Sequence, residues 1–185
     1  DGSDGQKQEA AGALLNLAAN ADINKVAIAK AGGIAPLVAL ARDGSDGQKQ
    51  EAAGALLNLA ANADINKVAI AKAGGIAPLV ALARGGTEKQ KEWAAGALWN
   101  LAINDDNKVA IAAAGGVEVL VSLAGDGTEG QQECAAAALC NLMNDANKGE
   151  CGGSAGEPRS ERRQQRGDCC GRRHRGPYRP GTRRE

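Results

Sequence analysis

Asn16, Asn58, Asn100 and Asn141 recur at intervals of 42, 42 and 41 residues. A carboxamide carries both a donor and an acceptor, so four of them in a row can pair with the backbone of an extended peptide whatever its side chains. The same spacing permits another use, in which each amide bonds the backbone of an adjacent repeat and fixes the junction. Trp93 lies seven residues before Asn100, two helical turns away on the same side, where an indole can anchor a partner side chain. Its counterparts Glu9, Glu51 and Cys134 mark a position that the core does not require, with packing as the alternative role for the indole. Trp99 replaces Leu15 and Leu57 and reads as packing between repeats.

Other candidate chemistry is sparse. His174 is the single histidine, and no Ser, Cys or carboxylate has the partner pattern of an activated nucleophile. The pair Gly32 and Gly33 lacks the following Gly-Lys-Ser/Thr of a phosphate loop. Asp105 and Asp106 read as a solvated helix cap rather than metal ligands. Cys134, Cys140, Cys151, Cys169 and Cys170 show no C-x-x-C spacing, and five is an odd count for a disulfide framework. These observations predict no enzyme, cofactor, metal or small-molecule substrate. They point to a reduced intracellular setting, cytoplasmic in the simplest case, with nuclear or membrane-peripheral placement as alternatives. No apolar run approaches the ~20 residues of a membrane span, so no membrane insertion is expected.

The elements that carry the asparagines come from a repeated unit. Residues 1–42 recur unchanged as 43–84, and the unit returns in diverged form from Gly85 and from Asp126. A period of this size predicts stacked supersecondary units rather than a closed globule. Each unit holds three helical patterns. The first, at 48–60, opens on a capping-box pair, Ser45 with Gln48, repeated by Thr87 with Gln90 and Thr128 with Gln131. Ala52, Leu56 and Leu59 form its apolar stripe. The second, at 66–73, takes Asp64 as its cap and stops at Gly74 and Gly75. The third, at 76–84, has Pro78 in its first turn, where a missing N–H is tolerated. With no Phe and only Trp93, Trp99 and Tyr178 as aromatics, the core must be Leu, Ile, Val and Ala on closely packed helices.

At this point the chain resembles the armadillo repeat family. The likeness rests on NKVAIAKAGGIAPLVALAR at 66–84 followed by EWAAGALWNLA at 92–102, and it covers about residues 4–148. It implies an all-α, right-handed superhelical solenoid, with an irregular C-terminal tail. The expected array occupies 1–148: an orphan third helix at about 4–19, then repeats at about 22–61, 64–103 and 106–143. The third helices of such repeats line a concave groove, and asparagines like Asn16, Asn58, Asn100 and Asn141 hold extended ligands in importin-alpha and beta-catenin. The nuclear-import receptors also place Trp one turn before each Asn. Here those positions are Gly12, Gly54, Gly96 and Ala137, which removes the slots for lysine stems. In this respect the chain is more similar to the vacuolar-protein-8 and plant or algal groups. The resemblance implies a non-enzymatic scaffold for an extended peptide or partner helix. Armadillo arrays also accompany ubiquitin-ligase and kinase domains, so a fragment of such a protein is an alternative; the start at Asp1, partway into a repeat, suits a fragment.

After Lys148 the helical periodicity vanishes. Residues 1–148 hold 12 Lys and Arg against 17 Asp and Glu, whereas 149–185 hold 10 Arg against 5 acids. Lacking Leu, Ile, Val, Met, Phe and Trp, this tail cannot build a core. Taken at face value it is a disordered basic arm whose Arg162-Arg163 and Arg172-Arg173 pairs suit phosphates, making nucleic acid a partner if the arm is real. Read from the second base, however, GC-rich synonymous codons for 172–183 can spell Gly-Gly-Ile-Ala-Ala-Leu-Ile-Ala-Leu-Ala-Arg, close to residues 32–42. Codons chosen in the same way for 157–161 can spell Asn-Leu-Ala-Ala-Asn, the run ending at Asn20. The tail is therefore expected to be armadillo coding sequence read out of frame.

Overall fold

The computed structural model describes residues 2–144. By its contacts the chain divides into Asp1–Lys148 and Gly149–Glu185, and the described residues all belong to the first unit. The basic tail, with His174, Cys151, Cys169, Cys170 and the arginine pairs, lies outside them.

Ten helices and no strands occur among the described residues. They run α1 (Asp4–Asn20), α2 (Asp22–Lys30), α3 (Ile34–Asp43), α4 (Asp46–Ala60), α5 (Asp64–Lys72), α6 (Ile76–Gly85), α7 (Glu88–Leu101), α8 (Asp105–Ala113), α9 (Gly116–Asp126) and α10 (Glu129–Met143). The expected all-α, armadillo-type superhelical solenoid is what forms. A lone long helix, α1, is followed by three short–short–long triplets. The long helices α1, α4, α7 and α10 pack in series, and each short helix α3, α6 and α9 packs on the long helix that follows it.

Local sequence explains the breaks. In every long helix a Ser or Thr at the N-cap and a Gln three residues on form a reciprocal capping box: Ser3 with Gln6, Ser45 with Gln48, Thr87 with Gln90, Thr128 with Gln131. The bend between the two short helices is 84° in the first two triplets and 83° in the third. Gly74 makes that bend with φ 76°, and Gly32 and Gly115 do the same at 80° and 73°. The Gly75 N–H then donates to the Ile70 carbonyl at 2.9 Å, and Gly74 to Ala71 at 2.9 Å, closing a Schellman turn. A Cβ on Gly75 would come within 2.7 Å of the Ile70 side chain, so the second glycine is as necessary as the first.

Two expected caps differ. Asp64 does not cap α5; Ala63 occupies the N-cap without a side-chain bond, and Asp64 is the first helical residue. From there its carboxylate pairs with Lys67 Nζ at 2.7 Å. The backbone enters the helix one residue earlier than the expected cap, which places the aspartate where an i,i+3 ion pair forms. In the third triplet Asn104 replaces Ala63, and its Oδ1 accepts from the Asn107 N–H at 3.1 Å. Asp105 and Asp106 therefore sit just inside α8 rather than capping it.

The core is continuous across repeats. Ala52, Leu56 and Leu59 are fully buried, as are Leu79, Leu98, Leu101, Ile111 and Leu120. Ala52, Ala53, Gly54 and Ala55 in α4, and Ala94, Ala95, Gly96 and Ala97 in α7, are buried small residues that let the long helices approach closely.

Candidate peptide-binding surface

Each asparagine of interest stands in the last turns of a long helix. Asn58 Nδ2 donates to the Leu15 carbonyl of α1 at 3.1 Å, Asn100 to the Leu57 carbonyl of α4 at 3.3 Å, and Asn141 to the Trp99 carbonyl of α7 at 3.1 Å. One N–H of each amide thus ties its helix to the preceding long helix. All three residues are half-buried, so the remaining N–H and the Oδ1 lie near the surface. Asn16 has no preceding long helix, makes no such bond and is exposed. The four asparagines therefore form one row across α1, α4, α7 and α10, three of them oriented by the junction itself.

Trp93 is half-buried and packs against the core. Its ring lies across α4 at Gly54, where a Cβ would come 2.7 Å from Trp93 Cε3 and would also collide with the Leu15 side chain. Lys89 Nζ stands 5.0 Å from the ring centroid, a cation–π distance. The same lysine pairs with Glu92 at 3.3 Å. Cys134, the counterpart of Trp93 on α10, faces Gly96. Its thiol titrates above the ordinary range because burial, and then Glu92 and Glu133, disfavour the thiolate, while Lys89 partly opposes them. Trp99 also packs half-buried against the core.

The glycine under Trp93 has a measurable consequence. In an open helix Gly→Ala gains about 1 kcal/mol, but here the overpacking penalty of about 1–3 kcal/mol should dominate. Gly54→Ala is expected to destabilise the chain in urea unfolding. With Trp93→Ala also present, the loss should shrink as in any cycle between touching residues. A stabilising Gly54→Ala would mean that the indole does not lie on that glycine.

Three glutamines take a role beyond capping. Gln48 Nε2 donates to the Asp4 carbonyl at 2.8 Å, Gln90 to Asp46 at 2.7 Å, and Gln131 to Glu88 at 2.9 Å, each reaching the first turn of the preceding long helix. A long helix is thus pinned to its neighbour at both ends, by Gln near the start and Asn near the finish. A separate amide row runs through the short helices. Asn66 Nδ2 bonds the carbonyls of Lys25 and Leu59 at 3.1 and 3.0 Å, and Asn107 those of Lys67 and Leu101 at 3.3 and 3.2 Å. The recurrence of Gln48, Gln90 and Gln131, and of Asn24, Asn66 and Asn107, at the repeat period was the available signal for both rows.

Among the described residues no group of three or more His, Cys, Asp or Glu is placed to hold a metal ion. No single helix there is long and apolar enough to cross a membrane.

A helical stack with three bent short pairs, long inner helices and amides at the repeat period defines an armadillo array. The model of the Armadillo/beta-catenin-like repeat matches residues 20–61, 62–103 and 104–143, and the chain belongs to that family. No curated protein sequence matches it. Among solved structures, an engineered protein is 38% identical with a TM-score of 0.72, over 76% of this chain and 57% of that one. A computationally designed armadillo repeat protein for modular peptide recognition is 30% identical with a TM-score of 0.69, over 72% of this chain and 57% of that one. A designed armadillo repeat protein in complex with the peptide (KR)4 is 29% identical with a TM-score of 0.68, over 72% and 56%. The chain thus spans little more than half the length of these relatives.

Proposed function

We propose that the chain is a non-enzymatic protein-interaction scaffold that binds an extended peptide along the concave face formed by α1, α4, α7 and α10. The observation that carries this reading is the asparagine row. Asn58, Asn100 and Asn141 are each held by one hydrogen bond to a neighbouring helix, and each keeps an acceptor and a second donor at a half-buried surface. A strand presents like-facing backbone groups about every 7 Å, and packed helices stand about 8–10 Å apart. Concave curvature narrows that difference on the groove side, so successive amides can reach successive like-facing peptide groups. Pre-orientation by the junction lowers the ordering cost of binding. The printed descriptions of the designed relatives, modular peptide recognition in one and a bound (KR)4 peptide in another, support peptide binding as a use of this architecture. Trp93 adds an apolar anchor beside the row.

Glycine or alanine at residues 12, 54, 96 and 137, in place of groove tryptophans, supports a likeness to the vacuolar-protein-8 and plant or algal groups over the nuclear-import receptors.

The test starts from the tightest peptide selected against the full chain from a random library. Asn58→Ala with Asn100→Ala should weaken its binding about tenfold to a hundredfold, the loss of two or more backbone hydrogen bonds of roughly 1 kcal/mol each. Gln90→Ala breaks a junction bond at the opposite end of α7 from Asn100 and serves as the control; it should lower thermal stability and leave affinity unchanged. Unchanged affinity in the asparagine double variant, with stability reduced, would assign the row to the junctions alone.

A further inference from the structure

We propose that the cleft between α6, α7 and α9 binds a phosphorylated serine or threonine side chain of a partner protein. The cleft has a volume of about 340 Å³, and Arg84, Lys91, Glu118 and Ser122 supply its polar wall. Lys91 precedes Asn100 by nine residues, about two and a half helical turns, so the cleft lies on the opposite side of α7 from the asparagine row. It is thus a different surface from the peptide groove. Nor does it owe its opening to the ends of the described array. Ala77 and Ala81, the counterparts of Glu118 and Ser122, stand in a helix packed by α3 on one side and α9 on the other, and both are exposed there too.

The identical units supply an internal control. Arg42 is followed by Asp43 and pairs with its carboxylate at 2.8 Å. Arg84, the same residue one unit later, is followed by Gly85. Among the described residues neither Arg84 nor the half-buried Lys91 forms an ion pair. Two cations therefore face one cleft without a fixed counter-ion. On the α9 wall Ser122 stands where α6 has Ala81, adding a hydroxyl, and Glu118 stands where α6 has Ala77. Arg84 reaches the turn before α9: a Cβ on Gly115 would lie 3.1 Å from its Nη2 and 3.6 Å from Glu118 Oε2. A guanidinium fork, an ammonium and a hydroxyl together offer donors to all three free oxygens of a phosphomonoester, where a carboxylate presents only two. Glu118 narrows the choice of phosphate. Its charge repels a second anion beside the first, which disfavours the phosphate run of a nucleic acid and the crowded headgroups of an acidic membrane. It also accepts from a basic residue next to the phosphorylated one.

Backbone-amide NMR of the full 185-residue chain tests the site. The probes are an alanine-based peptide carrying one phosphoserine beside a lysine, and its unphosphorylated twin. The phosphopeptide should shift the amides of Lys91 and Ser122 until they saturate, and the twin should leave them in place. Gly85→Asp gives Arg84 the neighbour that Arg42 has. A Cβ at Gly85 meets nothing within 4 Å, and Asp43 already occupies the matching place, so the fold should hold. That change should weaken binding about tenfold, as should Arg84→Gln, each removing one charge-assisted contact. Arg42→Gln, at the matched arginine that is already paired, should change nothing. Glu118→Gln should remove the advantage of the lysine over a glutamate at the same place in the peptide. The arginines of 149–185 are common to every variant and cannot produce these differences. Equal response to the two probes, shifts confined to 149–185, or equal losses from Arg42→Gln and Arg84→Gln overturn the proposal. Tighter binding of a single-stranded oligonucleotide or of phosphatidylserine vesicles than of the phosphopeptide, lost in Arg84→Gln, would give the cleft to a polyanion and overturn it as well.

Discussion

Asn66→Asp is expected to lower the unfolding free energy by about 3–5 kcal/mol at neutral pH, the effect of an uncompensated buried charge. Asn66 is fully buried, and its Nδ2 serves the carbonyls of Lys25 and Leu59. A carboxylate there loses both donors and faces two carbonyl oxygens. Burial raises the folded-state pKa of such a carboxyl above its unfolded value, so its destabilising effect is full at neutral pH and fades as pH falls through the folded pKa. Asn24 occupies the same place in the identical segment, but is half-buried and bonds only the Leu17 carbonyl at 3.1 Å. Asn24→Asp should therefore cost about 1 kcal/mol or less, the ordinary range for a loss at a partly exposed site. Urea unfolding at neutral and mildly acidic pH, followed by far-UV circular dichroism, measures both. Equal losses would deny the burial difference between the two segments.

Leu59→Ala should cost about 3–4 kcal/mol, whereas Leu17→Ala should cost about 1 kcal/mol. The two leucines have the same neighbours in sequence, so helix propensity cancels between them. Leu59 is fully buried, and truncation there leaves a cavity that a close-packed core only partly collapses. Leu17 already meets solvent over 46% of its surface and loses correspondingly less. In a nearest-neighbour stack the first helix also frays by itself, so hydrogen exchange should show α1 opening earlier than α4 in the wild type. Similar losses at Leu17 and Leu59 would place α1 against some covering surface in solution.

What could be read from the sequence was whatever a single turn contains. The capping boxes were legible because donor and acceptor lie three residues apart, as were the Gly74–Gly75 stop and the apolar stripe of Ala52, Leu56 and Leu59. The cap at Asp64 was misplaced because Asp at a helix start serves equally as N-cap or as the first helical residue. Only the backbone angles at Ala63, φ −127° and ψ 92°, separate the two. The second bond of Gln48 was hidden for another reason. Its Oε1 is occupied by the Ser45 N–H at 3.0 Å, while its Nε2 reaches a carbonyl 44 residues away. For the asparagine row, sequence spacing identified the members and both candidate uses. Which N–H meets which carbonyl depends on the register between α1, α4, α7 and α10, and packing of Gly54 against Leu15 and Trp93 helps set it.

The junction amides all end on main-chain oxygens, which every residue type possesses. The accepting residue is Leu15 at one junction, Leu57 at the next and Trp99 at the third. A joint of this kind requires no co-adapted pair of side chains across it. A tandem duplication that copies a whole unit verbatim, like residues 1–42 into 43–84, therefore inserts a working joint along with the unit. Array length can change in one genetic step, and the surface of each new copy can diverge while its seam stays intact.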